Sequence, residues 1–265
     1  MILSSCPVLE NLMVDRCQGD NVDLFVVRVA SLKVLLLRKL SDINTHGFVI
    51  DTPSLELLGI EEATGGFCGI EQNMPKIEAA NVYVTCNHTE QIISSLTSLE
   101  QLGVCLSQDA YPEGTIFNWL VRLHLCTCDA QWLNVLMRLL KDSPKLRILR
   151  LEQFHSKKIY PRPCWKEPSH VPGCLLSSLE TFEWMEYEGT EEEMEVARFI
   201  LRNTSRLKRA AFYPESTNAE EELVMLMELS MSPRCSPMCQ LHLGPRTFTK
   251  TDIFLDHRLN RSLKF

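Results

Sequence analysis

The chain has 265 residues and a formal net charge of −7. That length suits one large domain or one repeat array, and the negative charge weighs against a nucleic-acid or anionic-membrane partner, whose contacts need a positive field. Hydrophobic residues make up 45% and charged residues 23%, enough for a continuous core under an ordinary soluble surface.

No apolar run reaches membrane-span length, "VLLLRKL" at 34–40 being interrupted by Arg38 and Lys39. The N-terminus lacks the basic-then-apolar pattern of a secretory signal. The 11 cysteines are odd in number and irregular in spacing, so a disulfide framework is not expected. Together these features point to a reduced compartment, cytoplasm or nucleus.

From "CPVLENLMV" onward a word of the form L-x-x-L-x-L recurs. Its first residues are Leu9, Leu32, Leu55, Ile77, Leu99, Leu120, Leu146, Leu179 and Leu207, at intervals of 23, 23, 22, 22, 21, 26, 33 and 28 residues. The first five intervals fall in the roughly 20–29-residue period of leucine-rich repeats. Within "LENLMV", Leu12 and Val14 point to one face of a strand while Asn11, Met13 and Asp15 point to the other. One such strand cannot bury its apolar face alone, whereas stacked copies bury theirs against each other and line a parallel sheet. Unrelated buried strands in an ordinary α/β domain are the competing reading, and the regular period disfavours it.

The early connections, such as 19–30, are short and read as extended or irregular. "DAQWLNVLMRLLKDSPKL" predicts a helix capped by Asp129, with Trp132, Leu133, Leu136, Leu139 and Leu140 on one stripe and Pro144 as its stop. The proline-rich stretch 155–173 reads as a long excursion.

From residue 177 the pattern becomes strand, helix, strand, helix. Thr190 and Glu193 have capping-box spacing ahead of a stripe of Met194, Ala197, Ile200 and Leu201. "RLKRAAFYP" returns as a strand. Asn218 and Glu221 repeat the capping logic, with Leu223, Leu226, Met227 and Ser230 as the expected buried side and Pro233 as the stop.

"LLSSLETFEWMEYEGTEEEMEVARFILRNTSRLKRAAF" with "EEELVMLMELSMSPRCSPMCQL" resembles the FBD domain of plant F-box/LRR proteins. "CDAQWLNVLMRLLKDSPKLRILRLEQF", "CPVLENLMVDRC" and "IDTPSLELLGIEE" are similar to that family's repeat region. The resemblance implies an α/β fold: a leucine-rich-repeat solenoid with parallel strands over 1–154, a connecting loop at 155–173, an FBD unit at 174–241 and a divergent tail at 242–265. In the family an F-box docks on the Skp-type adaptor of a cullin ubiquitin ligase while the repeats hold substrate. No "LPxxLLxxIL"-like segment precedes the first repeat within this sequence. Adaptor binding is therefore expected only where an F-box is supplied upstream. A free-standing interaction scaffold with no ligase role is the alternative.

Enzymatic chemistry is not expected. His124, Cys126 and Cys128 align at i, i+2 and i+4 on a strand but lack an evident fourth ligand, so no metal or cofactor is expected. "ATGGFCG" at 63–69 lacks a phosphate-loop register, Cys235 and Cys239 match no common redox spacing, and "TEEEME" is explained as a helix N-terminus. Counting from the repeat anchors puts Met13, Arg38, Tyr83, His124, Arg150 and Glu183 on the exposed strand face, a mixture of Met, Arg and aromatic side chains suited to an unidentified protein partner.

Overall fold

The computed structural model describes residues 6–16, 22, 24–39, 47–62, 68–71, 74–84, 89–106, 110–153, 164–214 and 218–245. Residues 155–163 of the expected loop, 63–67 of the glycine-bearing stretch and 246–265 of the expected tail lie outside the described residues. The chain is α/β, its strands pair in parallel, and it forms two compact units, Met1–Leu120 and Val121–Phe265.

The first unit contains β1 (Asn11–Arg16), β2 (Leu24–Arg28), β3 (Val34–Lys39), β4 (Gly47–Asp51), β5 (Leu57–Glu62), β6 (Cys68–Ile70), β7 (Ala79–Val84), α1 (Thr89–Ser94) and β8 (Gln101–Cys105). Strands pair in the order β1, β3, β5, β7, β8, and a separate parallel set runs β2, β4, β6. Register partners Leu12, Leu35, Leu58, Ala80 and Leu102 lie 23, 23, 22 and 22 residues apart. The chain therefore returns to the same position in each turn of sequence. "LFVVR" is the extended connection expected of the early repeats.

A backbone motif recurs at successive words. The N–H of the first apolar residue closes a turn on the carbonyl three residues back: Leu32 on Val29, Leu55 on Thr52 and Ile77 on Met74. The carbonyl of the next residue then accepts two N–H groups from the following word. Glu10 accepts from Lys33 and Val34, Lys33 from Glu56 and Leu57, and Glu56 from Glu78 and Ala79, at 2.8–3.2 Å. Serines before these anchors join in, the Ser31 hydroxyl donating to the Leu9 carbonyl at 2.8 Å. Backbone groups entering each strand are thus satisfied by the neighbouring repeat. Leu32, Leu55, Ile77 and Leu99 are buried, each burial contributing roughly 1.5–3 kcal/mol.

The second unit carries β9 (Arg122–Cys126), α2 (Trp132–Asp142), β10 (Ile148–Glu152), α3 (Gly173–Ser177), β11 (Thr181–Tyr187), α4 (Glu191–Asn203), β12 (Arg209–Pro214), α5 (Ala219–Met231) and β13 (Gln240–Leu243). Its strands pair in chain order, β9 through β13. The carbonyl motif continues, with Val121 accepting from Arg147 and Ile148, and Arg147 from Glu180 and Thr181. β13 is a strand beyond the expected set and runs past Leu241. Its N–H of Cys239 closes on the Ser236 carbonyl as at the earlier words.

Helix α2 buries the expected Trp132, Leu133, Leu136, Leu139 and Leu140, with Val135 added. Asp129 does not cap it. The Asp129 carboxylate accepts from the Gln131 N–H at 2.7 Å, forming a turn, and the helix opens three residues after Asp129 with no side-chain cap. Helix α4 has the full capping box: Glu193 N–H donates to Thr190 Oγ1 at 3.4 Å and Thr190 N–H to Glu193 Oε2 at 3.2 Å. That arrangement contributes about 1 kcal/mol. Gly189, directly before it, has φ +70, and a Cβ there would sit 2.9 Å from Met225 Cγ, so glycine meets both a turn and a packing demand.

Helix α5 reverses the sequence expectation. Leu223, Leu226, Met227 and Ser230 are exposed, while Leu229 is buried and Met225 is half-buried. Asn218 caps the helix by accepting from the Glu220 N–H at 3.1 Å, and its amide also donates to Glu221 Oε1 at 3.3 Å. Apolar residues run all round α5, so periodicity alone could not choose the buried side.

Candidate binding face

The strand face opposite the core anchors is built from the residues between them. In the first unit one row across the strands is Met13, Leu36, Gly59, Asn81 and Gly103, and the next is Asp15, Arg38, Glu61, Tyr83 and Cys105. Arg38 and Tyr83 therefore share a row, as expected. Met13 sits one pleat earlier, with Asp15 in the place assigned to it. Alternate residues keep one face but advance about 6–7 Å along the strand, which anchor counting overlooked.

Charge binds this second row together. Arg38 Nε lies 3.1 Å from Glu61 Oε2 and its Nη1 lies 3.5 Å from Asp15 Oδ1. Tyr83 is buried, only 5% exposed, which corrects its expected exposure. The cause lies beside it at Gly103, where a Cβ would collide with Asn81 Oδ1 and approach the Tyr83 hydroxyl to 2.8 Å. The bare backbone of β8 lets both side chains lie across it.

In the second unit His124, Arg150, Glu183, Ala211 and His242 form one row. Arg150 Nε and Nη2 donate to Glu183 Oε2 at 3.0 and 2.7 Å, both side chains being largely shielded. His124 is 0% exposed, again a correction of the expected exposure. Its Nε2 lies 3.0 Å from Glu152 Oε2, and Glu152 is itself buried. His124 is buried together with Glu152, so a position on the outward pleat does not guarantee contact with water. Of the six residues expected on this face, Met13 is exposed and Arg38, Arg150 and Glu183 are partly so.

Further along this face Met185, Ala211 and Tyr213 form a buried apolar group. Arg209 Nη2 donates to the Tyr213 hydroxyl at 2.8 Å, and the Tyr213 and His242 rings meet edge-on at 5.9 Å. Burial, then the Glu183 carboxylate, pushes the Tyr213 hydroxyl above its ordinary range. At the strand entrances Glu180 bridges Lys208 and Arg147 at 2.7 and 2.8 Å, and the Lys208 hydrogen bond, joined by Arg147, holds its carboxyl below the usual range. Asp15 was placed on this face from sequence but not among its binding residues, and Glu61 and Glu152 were not placed there at all. Asp15 and Glu61 carried a usable signal, since Asp15, Arg38 and Glu61 alternate in sign at the repeat spacing.

Burial keeps two of the described thiols protonated. Cys174 is buried and its thiol donates to the Leu140 carbonyl at 3.0 Å, with burial pushing it up to about 12. Cys235 is exposed, and burial pushes the Cys239 thiol up. Among the described residues no helix is long and apolar enough to cross a membrane.

Parallel strands in a repeating register, followed by β11, α4 and β12, define the class. Residues 167–212 match the FBD family model. The chain is 56% identical over 247 residues to a "Probable FBD-associated F-box protein" of Arabidopsis thaliana, covering 91% of this chain and 58% of the relative. It is 49% identical over 247 residues to an F-box/FBD/LRR-repeat protein of the same plant, with the same coverage, 91% and 58%. An FBD-associated F-box protein from that plant is 38% identical over 260 residues, covering 91% and 59%. Over 91% of its length the chain is similar to plant F-box proteins that carry FBD and LRR regions. It spans 58% of the length of the first of these relatives. No solved structure matches it significantly.

Proposed function

We propose that this chain is a protein-interaction module, the substrate-recognition part of an F-box/LRR ubiquitin-ligase receptor, working in the cytoplasm or nucleus. In this reading residues 1–154 are a leucine-rich-repeat solenoid, 155–173 a connecting loop, 174–241 the FBD unit and 242–265 a divergent tail. The observation that carries the proposal is the carbonyl motif repeated from word to word at 22–23-residue spacing in the first unit. It stacks strands at about 4.8 Å intervals, so side chains project at fixed spacing from a rigid backbone, a surface suited to another protein. The relatives' names, which pair F-box with FBD and LRR, support the ligase connection.

The module holds a partner without catalysis, metal or cofactor. Its ionisable groups on the strand face are tied to one another, Arg38 to Glu61, Arg150 to Glu183 and His124 to Glu152, and this suits recognition better than proton transfer.

The test joins an F-box to the N-terminus of the 265-residue chain. The fusion should bind the Skp-type adaptor and the chain alone should not. Proteins marked by proximity labelling with the chain should gain ubiquitin and turn over faster when the fusion is present. Unchanged half-lives in cells where the fusion does engage the adaptor would favour a scaffold with no ligase role.

A further inference from the structure

We propose that the outer face of α5 docks a basic amphipathic helix of another protein. This surface is separate from the strand face, so it stands or falls independently of the function proposed above. One side of the helix is spent inside the unit, where Leu229 is buried and Met225 packs at Gly189. The opposite side carries Leu223, Val224 and Met227, 57%, 56% and 55% exposed, and Met231, 82% exposed. Leu223, Met227 and Met231 follow at i, i+4 and i+8, one line along the helix, with Val224 beside it. Leu226 and, just past the helix, Met238 add to the exposed apolar surface.

Scattered exposed apolar residues are ordinary, but a contiguous line of them is not. Methionines make the surface adaptable, because the unbranched thioether side chain repacks easily around differing partners.

Charge identifies the occupant. α5 contains Glu220, Glu221, Glu222 and Glu228 and no Lys or Arg. Glu220 and Glu228 form no ion pair among the described residues. Glu220 heads the exposed apolar line and Glu228 flanks it, a pattern complementary to an amphipathic helix whose apolar side is edged by Lys or Arg. A second copy of this chain fits worse, since it would bring a helix of the same acidic composition against the first, in molecules that each carry −7.

The probe is a fluorescein-labelled synthetic peptide of leucine and lysine in helical amphipathic register, titrated by anisotropy against the full chain. Its control is the same peptide with glutamate at every lysine. The lysine peptide should bind with a Kd of about 10 µM, weaken as salt rises, and exceed the glutamate peptide by roughly tenfold or more. Leu223→Lys with Met227→Lys should weaken binding roughly tenfold while leaving the melting curve unchanged, because both side chains are exposed. Glu220→Gln with Glu228→Gln keeps the apolar line and should lose the salt dependence. Equal binding of the two peptides, or parental affinity in the lysine variant, overturns the proposal. Concentration-dependent dimerisation abolished by the lysine variant overturns it in favour of a second copy.

Discussion

Trp184→Ala is expected to lower the unfolding free energy by about 4 kcal/mol, within the range for removing a buried aromatic side chain. Trp184 is buried in β11, and its ring meets Trp132 at 5.9 Å, Phe182 at 6.0 Å and Tyr187 at 5.3 Å, all edge-on. Phe212 joins through Phe182 at 5.6 Å and Tyr187 at 5.0 Å. The substitution therefore opens a cavity where α2, β11 and β12 bring their aromatic rings together. A β-bulge between Met185 and Tyr187, with Glu186 at φ 54, lets Tyr187 reach this cluster. Trp119→Ala, at an exposed position, should change stability by no more than about 0.5 kcal/mol. Urea midpoints followed by far-ultraviolet circular dichroism compare the two. Equal shifts would show that the aromatic cluster does not hold the second unit together.

His124→Ala and Glu152→Ala should each cost about 3 kcal/mol, because either breaks the buried His124–Glu152 contact at 3.0 Å. The paired replacement His124→Leu with Glu152→Leu removes both polar groups from the buried site. It should lie closer to the parent than either truncation. The same denaturation series decides this. Single-variant losses below about 1 kcal/mol would mean that water reaches the pair, and a double variant worse than both singles would mean that the polar contact is needed for packing.

Repeat spacing and helix starts were legible because they depend on residues close in sequence. The anchors Leu32, Leu55 and Leu146 are buried where the words placed them, and Thr190 with Glu193 closes the box their spacing promised. Facing was legible only where one side of an element is polar. α4 has such a side and buries its expected stripe, whereas α5, apolar all round, was turned the wrong way. The strand face was harder still. A pattern of two gives the side of the sheet but not the depth of cover, which depends on what neighbouring strands supply. Tyr83 is covered because β8 offers Gly103, and His124 because Glu152 stands beside it. Asp129 held a cap residue's chemistry yet used it on a turn two residues before the N-cap Gln131.

The central claim is that the strand face holds the partner, and affinity on that face tests it most directly. Once proximity labelling supplies a partner, its Kd is measured for the parent chain and for Arg38→Ala and Arg150→Ala. Both positions are partly exposed and lie in the rows described above. Substitutions in the connections between strands, Glu113→Ala and Lys145→Ala, serve as comparison. Loss of roughly 30-fold or more at one of the two arginines, matching about 2 kcal/mol for an interface anchor, with parental affinity in the connection variants, is the predicted result. Parental affinity in both arginine variants, with binding lost in the connection variants, would contradict it.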